Sequence, residues 1–242
     1  MSRVEVRGAK LYYEELGGGP DVLLMHGAMS TARRDYGSLI DRFAEFFHVV
    51  APDLRGFGKS QHVKAFKGNY YLEHARDMLA LIEALNLRDV HLVGFSDAGE
   101  FAFLMALEDT ERLRSIVASG VGGELNPAFL RSVEEHYKGI AGEMAEAHGR
   151  LYWRRLLGSY LRAVEETAKR FKDPLRRTDY RRISKPVLII NGERDHYNPV
   201  EGARALRDSL PCCDLWIVPG VGHTVRFEGF FERVKKFIDE HR

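Results

Sequence analysis

The chain has 242 residues, of which 45% are hydrophobic and 29% charged, and its formal net charge is +1. This length can bury a sizeable α/β core, and the near-zero charge gives no overall reason to expect a nucleic acid partner. No apolar signal core opens the chain, and no apolar run is long enough to span a bilayer. Two adjacent cysteines cannot form an ordinary disulfide framework. We therefore expect a cytoplasmic protein without membrane contact.

Strands and helices alternate over the first 120 residues. Residues 3–16 alternate in the manner of a hairpin, and the glycine-rich residues 17–20 close it. Short continuous apolar runs are typical of strands buried on both faces, and apolar residues at helical spacing predict the helices between them. The predicted strands are 21–25, 48–51, 89–94 and 113–120, and the predicted helices are 33–46, 70–86 and 97–107.

The alternation breaks over residues 121–182, which contain no convincing strand. Two long amphipathic patterns, 129–144 and 153–171, predict helices there. The alternation then resumes with strands at 186–190 and 214–218 and helices at 200–210 and 227–240. The pattern predicts an α/β fold with a mostly parallel eight-stranded sheet flanked by helices. We expect a core formed by 1–120 and 183–242, with 121–182 inserted after the sixth strand as a helical cap.

One stretch, residues 90–99, places a serine at the apex of a tight turn. An apolar strand leads into small residues around Ser96, and a helical pattern follows at once. This order lifts the hydroxyl out of the sheet and directs a helix N-terminus at the reacting atoms. Ser96 is therefore a candidate nucleophile, although a turn serine that caps the following helix is the alternative.

Four polar segments follow buried strands and should therefore meet at one edge of the sheet. They contain His26-Gly27, Ser96, Asp195 and His223. A serine hydroxyl needs a base within hydrogen-bond reach, and histidine suits that role near neutral pH. A carboxylate on the far ring nitrogen orients the histidine and stabilises its charged form. The residues thus predict Ser96 as nucleophile, His223 as general base and acid, and Asp195 as the orienting acid.

The sequence resembles the α/β-hydrolase superfamily over essentially its whole length. The matching motifs are His26-Gly27, Asp53-x-Arg55-Gly56-x-Gly58-x-Ser60, Gly94-x-Ser96, Gly192-x-x-Asp195 and Gly222-His223, in the order typical of the family. The resemblance implies the α/β-hydrolase fold, and it implies an oxyanion hole formed by the backbone amides of Ala28 and Asp97. It implies no metal and no organic cofactor.

Several nearby polar residues have other interpretations. Glu193 is a rival to Asp195 as the acid, but the Gly-x-x-Asp spacing favours Asp195. We expect His26 to brace the oxyanion loop and His196 to lie on a solvated loop, with lining of the site as its alternative. Residues Asp53, Arg55 and Ser60 are expected to hold a turn together rather than to contact substrate.

The residues after the serine depart from the commonest family pattern. Ala98 stands where most relatives carry glycine, and we expect its methyl group to be tolerated. Asp97 resembles the elbow of the valacyclovirase (biphenyl-hydrolase-like) subgroup, in which this aspartate binds the amino group of the substrate. Asp97 could instead point into solvent or cap the helix. Met29 and Trp153 are further candidates for substrate binding, and core packing of the cap explains Trp153 equally well.

The second half of the predicted cap is strongly basic. Residues 150–182 contain eleven lysines and arginines against four acidic residues, a balance of +7. A solvated outer face is the simpler explanation. Steering of an anionic substrate is the alternative.

The sequence as a whole predicts a serine hydrolase that cleaves a small carboxylic ester through an acyl-serine intermediate. Lactonases, carbon–carbon bond hydrolases and cofactor-free haloperoxidases use the same triad on this scaffold and remain alternatives. A ligand sensor with slow turnover is an alternative of another class. Dehalogenases and epoxide hydrolases are disfavoured, because they carry aspartate where this chain has Ser96. We expect a monomer or homodimer that acts on a small molecule.

Overall fold

The computed structural model describes residues 2–242, which form one eight-stranded sheet with helices on both faces. The strands are β1 (Ser2–Val6), β2 (Ala9–Leu16), β3 (Asp21–Met25), β4 (His48–Pro52), β5 (Val90–Phe95), β6 (Leu113–Ser119), β7 (Val187–Gly192) and β8 (Cys213–Val218). Their order across the sheet is β1-β2-β4-β3-β5-β6-β7-β8. The pairs β1–β2 and β2–β4 are antiparallel, and all other pairs are parallel. The predicted fold class is confirmed.

The middle of the sheet is buried on both faces because its strands are apolar throughout. Every residue of β5 and β7 is buried, as are all but the first residue of β3. Helices must cover both faces of such a sheet. One face carries α3 (Tyr70–Ala84), α4 (Asp97–Glu108) and α8 (Val200–Ser209), and the other carries α1 (Ala32–Tyr36), α2 (Leu39–Ala44) and α9 (Phe230–Glu240).

Two sequence-based predictions of single helices are wrong in the same way. The predicted helix 33–46 is divided into α1 and α2 at Gly37, whose φ of 54° no regular right-handed helix contains. The predicted pattern 129–144 is divided into α5 (Pro127–Gly139) and α6 (Ala141–His148). Gly139 and Gly142 flank that second break, and glycine is a poor helix former. Apolar spacing is preserved across both breaks, so it does not reveal them.

Residues 121–182, hereafter the helical insert, lie between β6 and β7. The insert contains α5, α6, α7 (Tyr152–Arg170) and a 3₁₀ turn (Arg177–Arg182). Two of its tyrosines reach the loops at the C-terminal ends of the strands, since the Tyr137 hydroxyl binds the Ala28 carbonyl and the Tyr152 hydroxyl binds the Gly56 carbonyl. Among residues 2–242, no helix is long and apolar enough to cross a membrane.

Candidate active site

The candidate nucleophile, Ser96, occupies a strained turn between β5 and α4. Its φ of 56° and ψ of −123° lie outside the regions that non-glycine residues usually adopt. The Ser96 amide donates to the Ser119 carbonyl at 2.8 Å, which ties the turn to β6. Gly94 permits the close approach of strand and helix, because a Cβ there would lie 2.4 Å from the Ala98 carbonyl oxygen. The Ala98 side chain is itself fully buried, so its methyl group fits.

A continuous hydrogen-bonded chain joins the serine to a histidine and an aspartate. Ser96 Oγ lies 3.0 Å from His223 Nε2, and His223 Nδ1 lies 2.7 Å from Asp195 Oδ2. Asp195 is 4% exposed, and its Oδ1 accepts hydrogen bonds from the Tyr197 and Asn198 amides, both at 3.0 Å. With the carboxylate as acceptor, the ring carries its proton on Nδ1 and leaves Nε2 free to accept the serine proton.

The other candidate polar residues occupy separate positions. The carboxylate of Glu193 is exposed and accepts a hydrogen bond from the Gly220 amide, away from His223. The side chain of His196 is exposed and packs against Tyr197, with the two rings tilted and their centroids 4.0 Å apart. The predicted turn at 53–60 is also present. The Asp53 carboxylate accepts hydrogen bonds from the Ala32 and Lys59 amides, and the Ser60 hydroxyl donates to the Asp53 carbonyl. Arg55 forms an ion pair with Asp77.

Residues 27–30 form a loop that passes directly over the nucleophile. A Cβ on Gly27 would lie 2.9 Å from the Cβ of Ser96, so only glycine allows this approach. The backbone amides of Ala28 and Asp97 donate to no acceptor within residues 2–242. Free amides beside a nucleophile can stabilise a developing oxyanion.

His26 braces this loop from below, as the sequence interpretation expects. Its Nε2 accepts a hydrogen bond from the Leu54 amide at 2.9 Å, so Nδ1 carries the proton and donates to the Gly27 carbonyl at 2.7 Å. Burial lowers the pKa of His26 to about 4, and the ring is therefore neutral near pH 7.

Asp35 is a structural residue of the site that the sequence reasoning missed. Its Oδ2 accepts from the Gly27 amide at 2.7 Å, and its Oδ1 accepts from the Ser30 hydroxyl at 2.6 Å. The carboxylate thereby holds both ends of the 27–30 loop. No motif marks Asp35, because its role depends on how α1 packs beneath that loop.

A cavity of about 190 Å³ opens onto Ser96 and His223. The other residues that line it are Gly27, Ala28, Met29, Ser30, Arg34, Asp35, Phe95, His136, Tyr137, Thr224, Val225 and Arg226. Met29 is thus placed at the cavity, whereas Trp153 is 3% exposed within the larger apolar core. None of the eleven basic residues of 150–182 lines this cavity.

Asp97 points into a buried polar cluster rather than into this cavity. The Tyr71 hydroxyl donates to its Oδ1 at 3.3 Å, while its Oδ2 has no partner within residues 2–242. The hydroxyls of Tyr70 and Tyr160 are also buried without a partner in the same part of the chain. Burial raises the pKa of Asp97 to about 7, and these nearby tyrosines oppose that effect.

Comparison with known proteins agrees with this fold. The sequence model of the alpha/beta hydrolase family matches residues 22–239. Human serine hydrolase BPHL is 24% identical over 244 residues, covering 96% of this chain and 84% of its own length. The chain therefore belongs to the alpha/beta hydrolase family.

Solved structures share the fold across the whole chain. The 2-hydroxy-6-oxo-6-phenylhexa-2,4-dienoate hydrolase from Rhodococcus sp. strain RHA1 superposes with a TM-score of 0.84 at 22% identity, covering 99% of this chain and 96% of its own. A thermophilic esterase from Thermogutta terrifontis has a TM-score of 0.78 at 23% identity, and both chains are covered completely. The chain is thus a hydrolase by family, and its relatives carry several different substrates in their names.

Proposed function

We propose that the protein is a serine hydrolase that cleaves a small carboxylic ester through an acyl-serine intermediate. The observation that carries the proposal is the hydrogen-bonded chain of Ser96, His223 and Asp195 beside two free backbone amides. A carboxylic ester presents a carbonyl carbon to the nucleophile and a carbonyl oxygen to the amides. The modest cavity suits a small substrate.

The geometry supports a two-step acyl transfer. As Ser96 Oγ attacks the ester carbonyl carbon, His223 Nε2 accepts the hydroxyl proton, and Asp195 stabilises the charged ring. The amides of Ala28 and Asp97 bind the oxyanion of the tetrahedral intermediate, each worth about 3 kcal/mol. His223 then returns the proton to the leaving alcohol. In the second step it activates water, which attacks the acyl-serine and releases the acid.

The helical insert serves as a cap in this proposal, with residues 1–120 and 183–242 as the core that carries the reacting groups. Two insert residues, His136 and Tyr137, line the cavity together with the core. No group of three metal-ligating side chains suited to an ion occurs in the described chain, and the proposed chemistry requires none. The cytoplasmic location, and a monomeric or homodimeric state, stay predictions from the sequence.

Hydrolysis and active-site labelling test the proposal directly. The protein should hydrolyse p-nitrophenyl acetate and butyrate, and a fluorophosphonate should label Ser96 in a burst. Ser96→Ala and His223→Ala should each abolish turnover while the thermal melt stays close to that of the wild type. The proposal fails if Ser96 is not labelled and neither ester is hydrolysed. Labelling without turnover would instead support the slow ligand sensor. Turnover of a dienoate in preference to both esters would favour the chemistry named for the Rhodococcus neighbour.

Binding of a substrate amino group by Asp97 remains part of the proposal as a second role. The observation in its favour is the unpartnered Oδ2, since a buried carboxylate oxygen without a donor is costly. Because this cluster lies apart from the cavity at Ser96, the ammonium group of a substrate would have to enter the cluster to reach that oxygen and the nearby tyrosine hydroxyls. Asp97→Ala should then reduce hydrolysis of α-amino acid esters far more than hydrolysis of plain acyl esters. Equal losses on both substrates would exclude this role.

A further inference from the structure

The loop that carries the Ala28 amide is held from above by the helical insert. The Tyr137 hydroxyl, from α5, donates to the Ala28 carbonyl at 2.7 Å. His148, the last residue of α6, is 2% exposed and places its Nε2 3.0 Å from the Met29 carbonyl. Two consecutive carbonyls of one core loop thus bind side chains of the insert.

The hydrogen bonds of His148 define its tautomer. The Gly58 amide donates to its Nδ1 at 3.0 Å, so Nδ1 is the acceptor and Nε2 carries the proton. Nε2 therefore donates to the Met29 carbonyl. Burial lowers the pKa of His148, which keeps the ring in this neutral form. One insert residue bridges the loop at 27–30 and the loop at 53–60.

Within residues 2–242, the core makes no comparable hydrogen bond to the middle of the 27–30 loop. Asp35 binds the two ends of the loop, at Gly27 and Ser30. Between them, Met29 has a φ of 50°, a conformation that costs a non-glycine residue on the order of 1 kcal/mol. The Ala28 amide and carbonyl flank one α-carbon, so a hydrogen bond that fixes the carbonyl also restricts the direction of the N–H.

We infer that Tyr137 and His148 are positioning residues for the oxyanion hole. Seating of the insert directs the Ala28 amide towards the reacting oxygen, and loss of either hydrogen bond leaves that amide less well ordered. This inference rests on the proposed serine hydrolase function. It predicts that the insert affects the chemical step and not only the entry of substrate.

Tyr137→Phe is the sharpest test, because it removes the hydroxyl and keeps the ring that lines the cavity. A neutral hydrogen bond of this kind corresponds to a change of about tenfold, so kcat should fall by about that factor with little change in KM. Binding of an alkyl boronic acid, which forms a tetrahedral adduct on serine, should weaken by a similar factor.

Tyr152→Phe is the matched control. The Tyr152 hydroxyl, from α7, also joins the insert to the core, since it donates to the Gly56 carbonyl at 2.9 Å and accepts from the Val63 amide at 3.0 Å. Within residues 2–242, this hydroxyl makes no hydrogen bond to the 27–30 loop. Its removal should leave kcat within about twofold of the wild type. If both variants lose kcat equally, the hydroxyls merely attach the insert and the inference is overturned.

Two substitutions of His148 distinguish a positioning role from a purely structural one. His148→Leu removes the donor to Met29, whereas His148→Gln places a side-chain N–H where Nε2–H lies. The leucine variant should lose about tenfold in kcat, and the glutamine variant should recover most of it. Equal losses in the two variants would contradict the inference. If the leucine variant does not fold, the comparison of Tyr137→Phe with Tyr152→Phe decides alone.

Wild-type activity separates this inference from the proposed function. If the wild-type protein neither hydrolyses esters nor reacts with fluorophosphonate at Ser96, the proposed function itself has failed. If the wild type is active and Tyr137→Phe matches it in kcat and in boronic acid affinity, only the positioning role is refuted.

Discussion

The proposed nucleophile, Ser96, and the 27–30 loop follow adjacent parallel strands, yet the structure holds them in different ways. Ser96 follows β5, which pairs with β3 on one side and β6 on the other, and the Ser96 amide donates to the Ser119 carbonyl of β6. The loop at 27–30 follows β3 and is held both by the core, through Asp35, and by the insert, through Tyr137. The Ser96 turn is thus held by the sheet, whereas the 27–30 loop is held by the core and the helical insert together.

This difference suggests a division of tasks within one site. A strained turn built into a buried parallel sheet resists changes elsewhere in the molecule, because the surrounding interior is close-packed. A loop with partners in two parts of the chain responds to both. Changes in the core should therefore remove the reaction outright, whereas changes in the insert should modulate its rate.

Asp195→Asn should have the largest effect in this comparison. The amide would favour the wrong histidine tautomer, and turnover should fall by about 10⁴-fold. Glu193→Gln is the matched control, because Glu193 is an exposed acid of the same loop, and its carboxylate accepts a hydrogen bond from the Gly220 amide and not from His223. Steady-state kcat/KM on p-nitrophenyl butyrate measures both. A larger loss in the Glu193 variant would mean that the acid has been misassigned.

Gly27→Ala should have the next largest effect, since the added methyl group would clash with the Ser96 turn. The added Cβ would lie 2.9 Å from the Cβ of Ser96 and 3.3 Å from the Phe95 ring. The loop must move away from the nucleophile, and loss of one oxyanion donor costs about 10²-fold or more in kcat.

The control for this substitution is Gly18→Ala, because a Cβ on Gly18 would meet no atom within 4 Å. Its activity should match the wild type. Full activity in the Gly27 variant would show that the loop does not need its close approach to Ser96.

The core, and the meeting of the three candidate catalytic residues, could be predicted from sequence because the signals are local. Apolar runs mark the parallel strands, and polar residues placed directly after them must meet at one edge of the sheet. Ser96, Asp195 and His223 are brought together for this reason, although they are far apart in the chain. The Gly-x-x-Asp spacing also distinguishes Asp195 from Glu193, which lies two residues away.

The contacts of the insert could not be predicted, because they depend on how two separate layers pack. Tyr137 and Ala28 are 109 residues apart, and His148 and Met29 are 119 apart. Nothing in the local sequence of either partner indicates the pairing. The same holds for Asp97, whose carboxylate binds the Tyr71 hydroxyl of α3 inside a buried cluster.

The pH dependence of stability should have opposite signs on the two sides of the site. Asp97 has its pKa raised from 3.8 to about 7, so between these values the folded state holds a proton that the unfolded state has released. Its contribution to stability therefore falls as pH rises from 4 to 7. His26 has its pKa lowered from 6.5 to about 4, and its contribution falls as pH decreases through that range.

Asp97→Asn separates the two contributions. The variant should gain stability relative to the wild type as pH rises from 4 to 7, measured by urea unfolding at each pH. It should still lose stability on acidification below 6.5, where the unfolded state of His26 takes up a proton. A stability difference between variant and wild type that does not change with pH would contradict the raised pKa of the buried Asp97 carboxyl group.

The smallest expected effect concerns the charge of the substrate. Arg226 lines the cavity, and its side chain makes no ion pair within residues 2–242, whereas Arg34 is paired with Glu143. Asp35 also lines the cavity, but both of its oxygens accept hydrogen bonds from the loop. Arg226→Ala should therefore raise KM by about threefold for a p-nitrophenyl half-ester that carries a free carboxylate, because an exposed charge pair is weak. The KM for neutral p-nitrophenyl butyrate should not change.

Arg154→Ala tests whether the basic insert contributes in the same way. Arg154 is exposed on α7 and lies over the Trp153 ring, away from the residues that line the cavity. Its removal should not discriminate between the two esters. If Arg154→Ala and Arg226→Ala raise KM for the anionic ester equally, attraction acts over a distance through the net charge of the insert. An effect confined to Arg226 would instead place substrate recognition in the core, on the loop that also carries His223.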